Sequence, residues 1–217
     1  MTKALCLLVV SLAFGTNAGQ PSVFELKDGD RVAFLGDTFI ERAQEYGHLE
    51  LRLTTAWPKR HVTFRNLGWS GDTPRGVSRA GLSLGQAGYE SDDEGWHQLR
   101  KQIELVKPTV VFLGYGMANS FENQSEKFGN DMRALKTAIR KAVGGAVRFV
   151  VLSPLRHENL GGRLPDPSAH NRQLAEYAKE LRAMAATDGD FFVSLFDAKA
   201  LVNAKPPLTE NGIHPVD

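Results

Sequence analysis

Four short stretches hold the residues that could do chemistry. Gly36-Asp37-Thr38 offers a hydroxyl. "NLGWSGDT", residues 66–73, offers glycine amides. "GYGMANSF", residues 114–121, carries an amide side chain in Asn119, and "ENGIHP", residues 210–215, an imidazole in His214. A hydroxyl nucleophile, a base for its proton and N–H donors for a developing oxyanion are the parts that acyl transfer needs. His48, His61, His97 and His170 show no ligand-like spacing, so no metal site is expected. No Gly-x-Gly-x-x-Gly string opens a helix, which argues against a nucleotide binder.

The elements between these stretches must position them. The apolar run Arg31–Gly36 reads as a strand, followed by a helical pattern over residues 41–56 and a second strand over 61–67. Residues 109–113 ("TVVFL") form a continuous apolar run, the mark of a strand buried on both faces. Ser125–Val143 carries Phe128, Met132, Leu135 and Ile139 at helical spacing. A strand follows over 147–153, then a helix over 168–186 and a fifth strand over 191–196. The stretch 81–95 is polar and glycine-rich and takes no assignment. Strands alternating with crossover-length helices predict an α/β fold with a parallel sheet covered on both faces. In such sheets the ligand sits beyond the carboxyl ends of the strands, where the candidate stretches fall.

The chain has 217 residues and a formal net charge of +1, which gives no electrostatic case for nucleic acid or an anionic membrane. Its first eighteen residues read as a secretory signal. Lys3 supplies the positive start, residues 4–14 are almost wholly apolar, and Thr16 and Ala18 are small residues flanking a cut after Ala18. The expected destination is secreted or periplasmic, with no membrane span once the signal is removed. The single cysteine, Cys6, would leave with it.

These residues carry a resemblance. In four ordered blocks the chain resembles the SGNH hydrolase superfamily, the GDSL lipases and esterases. Thr38 falls on the nucleophile, in Gly-Asp-Thr where that family has Gly-Asp-Ser. Ser70-Gly71-Asp72-Thr73 matches the second block, which implies that the Gly71 amide helps form the oxyanion hole. The third block supplies an asparagine donor in that family; here Ala118 takes its place unless the loop bulges by one residue, which brings in Asn119. His214 falls on the catalytic histidine, and the third member, an aspartate in the family, is Asn211. Residues 153–185 look like a subgroup of secreted proteins of this type from planctomycetes. The fold implied is a three-layer α/β/α sandwich on a five-stranded, flavodoxin-like parallel sheet. Residues 19–217 would make one such domain, lacking its C-terminal helix because Asp217 follows His214 so closely.

The function implied is hydrolysis of a carboxylic ester without a cofactor, on a small molecule or an acetylated carbohydrate. Asp37, Trp69 and His157 are candidates for substrate contact. The plainer readings are that Asp37 holds its turn, that Thr38 caps a helix, that Trp69 is a rim residue and that His157 and Glu158 steady the loop 156–167. The competing function is a non-catalytic carbohydrate- or ligand-binding domain on the same fold, motivated by Thr38, Ala118 and Asn211.

Overall fold

The computed structural model describes residues 23–79, 94–199, 201 and 204–216. The signal segment and nearly all of the 81–95 stretch lie outside them. Five strands form one parallel sheet: β1 (Arg31–Gly36), β2 (Thr63–Asn66), β3 (Val110–Gly114), β4 (Arg148–Leu152) and β5 (Phe191–Val193), in the order β2-β1-β3-β4-β5. The helices are α1 (Thr38–Tyr46), α2 (His48–Ala56), α3 (Glu94–Val106), α4 (Ser125–Val143) and α5 (Ser168–Asp188), with a 3₁₀ turn at Asn119–Glu122.

Alternation along the central strands decides the layers. Val32, Phe34, Val110 and Phe112 face one side, where Ile40 of α1 and Leu49 and Leu53 of α2 cover them. Ala33, Leu35, Val111 and Leu113 face the other, against Leu99 of α3, Met132 and Ile139 of α4, and Leu181 of α5. Successive side chains of a strand point to opposite faces, so a strand buried on both sides must be apolar throughout. That is the five-stranded α/β/α sandwich expected from the sequence.

Two elements differ from the sequence reading. The expected helix over 41–56 is two helices, broken at Gly47, which sits at φ 65° and ends α1 while starting α2. Glycine adopts that left-handed conformation without a Cβ clash, so the chain turns there despite continuous helical patterning. Helix α3 begins where the glycine-rich stretch ends, and a polar lead-in masked its apolar face of Leu99 and Ile103.

The sheet order reverses direction between β1 and β3, whose last residues, Gly36 and Gly114, pair with each other. Crossovers leave the sheet on opposite faces at that point and open a crevice. Close approach requires Gly36: a Cβ there would meet Gly114 O at 2.3 Å and Ile40 Cγ1 at 2.4 Å.

Candidate active site

Asp37 builds the crevice. Its backbone N–H donates to Gly114 O at 3.1 Å. Its carboxylate caps α1 by accepting from Phe39 N, and accepts from Met117 N at 3.1 Å and Ala118 N at 3.4 Å in the loop after β3. Asp37, not Thr38, is therefore the cap, and its carboxylate holds the turn although it borders the pocket described below. Burial pushes this carboxyl up to about 6, against the pull of the surrounding N–H groups. Between about pH 4 and 6 the folded protein then keeps a proton that the unfolded chain has released, so stability falls as pH rises through that window. The unfolding free energy of the wild type, relative to Asp37→Asn, should drop by about 2–3 kcal/mol between pH 4 and pH 7. A difference independent of pH would show an ionised carboxylate throughout.

With Asp37 capping, Thr38 is left as the first residue of α1 with its side chain released from any capping role. Its Oγ1 accepts from Gly71 N at 3.0 Å. The loop that brings Gly71 there is fastened to β1 and α1. Trp69 N donates to Gly36 O, and the Asn66 side chain donates to Ile40 O and accepts from Gly68 N. Behind it Asp72 is fully buried against Arg79, whose Nε donates to Asp72 Oδ2 at 2.7 Å and whose Nη2 donates to Leu67 O. Gly71 itself sits at φ 66°, a left-handed turn that aims its N–H at Thr38.

His214 arrives on a hairpin-like turn at the end of the described chain. Thr209 bridges Pro215, and Glu210 N donates to His214 O at 3.0 Å. Glu158 clamps the turn from β4's side: its N–H donates to Gly212 O, and its carboxylate accepts from Leu208 N and Thr209 Oγ1. Arg42, one helical turn beyond Thr38 on α1, pairs with Glu210 at 2.8 Å and donates to Pro215 O at 3.2 Å. His214 thus docks on the helix that carries Thr38. Among the described residues no hydrogen bond joins His214 to Thr38; Ile213 is the residue of this turn that borders Thr38's pocket.

Asn211 reaches His214 in an unexpected orientation. Its Oδ1 accepts from Ile213 N and His214 N, at 3.2 and 3.0 Å, which leaves Nδ2 facing His214 Nδ1 at 3.0 Å. An amide NH₂ only donates, so this contact favours a ring with Nδ1 unprotonated and the proton on Nε2. An aspartate at this position would accept from Nδ1–H instead.

Gly212 makes the turn at φ 95°, and a Cβ there would lie 2.6 Å from the His157 ring. Gly212→Ala should therefore displace the His214 turn and destabilise the protein by more than backbone strain alone, as read by denaturant unfolding. Gly161→Ala, at φ 64° with open space around it, carries only the backbone strain of about 1–2 kcal/mol and serves as the control. Equal behaviour of the two variants would refute this.

The pocket beside Thr38 is small and mostly apolar. Phe39, Met117, Pro154, Leu155 and Ile213 line a cavity of about 20 Å³, room for one water-sized group. A separate, larger cavity of about 560 Å³ is lined by Arg156, His157 and Glu158, the next residues after β4, with Ser168, Asn171 and Lys205 among others. His157 therefore reaches a cavity wall. Its Nδ1 also contacts His170 Nδ1 at 3.0 Å, and His170 Nε2 contacts the buried Ser120 Oγ. Burial holds both imidazoles below the ordinary histidine range.

Asn119 is not brought to Thr38's pocket. It starts the 3₁₀ turn, buried, with its carbonyl accepting from Tyr177 OH at 2.7 Å and its Oδ1 without a partner. Met117 borders the pocket in its place. Trp69 is 37% exposed beneath the Arg79 guanidinium, a rim position. Among the described residues no group of three or more histidine, cysteine or acidic side chains could hold a metal. Within the same residues, no helix is long and apolar enough to cross a membrane.

No protein-family model matches the chain, and no curated protein matches it. Solved structures do. A gut microbial diltiazem-metabolizing enzyme superposes at a TM-score of 0.62 with 19% identity over 91% of this chain; the chain spans 45% of that protein's length. A variant of the acetyl xylan esterase Axe2 from Geobacillus stearothermophilus gives 0.60 and 15% identity, covering 88% of this chain and 89% of that one. A GDSL-like lipase from Bacteroides thetaiotaomicron gives 0.53 and 16% identity, covering 86% and 80%. At such identities the likeness is one of fold, and the chain accordingly has the α/β fold of the GDSL-type esterases and lipases, five parallel strands between two helical layers.

Proposed function

We propose that the protein is a secreted hydrolase of the SGNH type that removes a short acyl group, acetyl above all, from a carbohydrate or another small alcohol. The observation that carries this reading is the Thr38 hydroxyl held 3.0 Å from the Gly71 N–H beside a pocket of about 20 Å³. In it Thr38 Oγ1 attacks the acyl carbon and His214 takes its proton. The oxyanion settles between the Gly71 N–H and the Thr38 N–H, which heads α1 and has no partner inside the helix. Water then releases the acyl group through the same histidine. Export is supported by the pattern of Lys3, the apolar residues 4–14 and Ala18. The larger cavity, lined by Asn171, Arg156 and His157, suits a polar alcohol portion.

A series of p-nitrophenyl esters tests the reading. Acetate should be turned over, and kcat/KM should fall at least tenfold by butanoate, because added methylenes overfill so small a pocket. Equal rates for acetate and octanoate would sink the short-acyl assignment. Equal rates for wild type and His214→Ala would sink the enzyme.

The Asn211–His214 contact favours a second reading, a ligand-binding domain that has lost turnover. Its signature is calorimetric binding of an acetylated sugar with no release of acetate.

A further inference from the structure

Two side chains compete for His214 Nδ1, and their demands are opposite. Asn211 Nδ2 stands 3.0 Å away and Glu210 Oε1 3.7 Å away. The amide NH₂ suits a bare Nδ1, whereas a carboxylate accepts and suits Nδ1–H. A histidine that takes the Thr38 proton at Nε2 must carry its own proton on Nδ1. Asn211 cannot hold that form without turning its amide. Turning would break its bonds from Ile213 N and His214 N and set its NH₂ against two donors.

Glu210 can hold it. The sequence spacing, four residues before His214 instead of three, suggests a carboxylate aimed elsewhere. The turn brings it back, because Glu210 N donates to His214 O and folds the two residues against each other. Arg42 then fixes the carboxylate from α1, one turn beyond the nucleophile. Among the described residues, Glu210 is the carboxylate paired with His214. A movement of about 1 Å converts this contact into a charge-assisted hydrogen bond.

We propose that Glu210 is the carboxylate partner of His214, standing in for the absent aspartate; the assignment rests on the esterase reading above. As Thr38 Oγ1 bonds to the acyl carbon, its proton passes to His214 Nε2, and Glu210 accepts from Nδ1–H of the imidazolium. The proton then goes from Nε2 to the alcohol oxygen as the C–O bond of the ester breaks, and the ring is neutral again. Glu210 touches neither substrate nor reacting atoms. It is a positioning residue that selects the productive tautomer and steadies the transient cation.

The experiment is a pair of substitutions in two backgrounds of the full chain. Glu210→Gln keeps the shape and an acceptor for Arg42. It should lower kcat on p-nitrophenyl acetate about tenfold in the parent. In the Asn211→Asp background, where a new carboxylate takes over Nδ1, the same change should cost less than twofold. Equal fold-losses in both backgrounds would mark Glu210 as a structural clasp and overturn the proposal. ¹⁵N spectra of His214 give a readout independent of turnover: Glu210→Gln should enrich the tautomer with Nδ1 unprotonated, and an unchanged tautomer overturns the proposal. If neither the parent nor Asn211→Asp hydrolyses any ester, the esterase reading has failed, and the spectra still decide the contact.

Discussion

Asn211→Asp should raise kcat on a short-chain ester, by on the order of 100-fold. One oxygen of the new carboxylate keeps the bonds from Ile213 N and His214 N. The other takes the position of Nδ2, 3.0 Å from His214 Nδ1, and turns a donor into an acceptor. The ring must then carry its proton on Nδ1, which frees Nε2 to act as base. In a serine protease the reverse change, aspartate to asparagine, costs about 10⁴ because the imidazole is held in the wrong tautomer. The gain here should be smaller. Glu210 already serves part of this role, and Thr38 still carries a methyl that crowds attack. The added charge lies near Glu210, but Arg42 offsets it. Steady-state kinetics with p-nitrophenyl acetate check the outcome. A kcat unchanged within twofold would show that the tautomer of His214 does not limit turnover.

Thr38→Ala should abolish turnover, a loss of at least 10³-fold, since among the described residues the one other hydroxyl lining the pocket beside Thr38 is that of the buried Ser153. Thr38→Ser should move the other way, about tenfold upward in kcat. It keeps the oxygen that accepts from Gly71 N and removes only the branch methyl. That methyl limits side-chain rotation and occupies room in a pocket of about 20 Å³. The opposite signs of these two variants are the informative result. A fall in both would mean that the methyl is needed to seat the hydroxyl. Parent-level rates in Thr38→Ala would place the chemistry elsewhere.

Much of this site was legible along the chain. The stretches that hold Thr38, Gly71 and His214 lie beyond strand ends and the resemblance implies their roles; the fold brings Gly71 N to Thr38 and seats the His214 turn on α1. The third block was not legible in its register. Ala118 and Asn119 are adjacent, and only the Asp37 carboxylate, by accepting from Met117 N and Ala118 N, turns Met117 toward the pocket and leaves Asn119 buried under Tyr177. The Glu158 clamp was invisible for the same reason: its partners, Leu208 and Thr209, lie fifty residues away.

The strands, the layers and the edge of the sheet on which the candidate residues fall could all be read along the chain. Each of these follows from local periodicity, which works because a strand buried on both faces has to be apolar at every position. Tertiary structure decided which partner each polar group takes. Glu210 and Asn211 both lie near His214 in sequence, and helical or strand spacing cannot rank them. The docking of their turn onto Arg42 and Glu158 sets the carboxylate 3.7 Å and the amide 3.0 Å from one ring nitrogen. Hydrogen bonding falls off steeply with distance and angle, so that choice is made by contacts from distant segments and not by spacing along the chain.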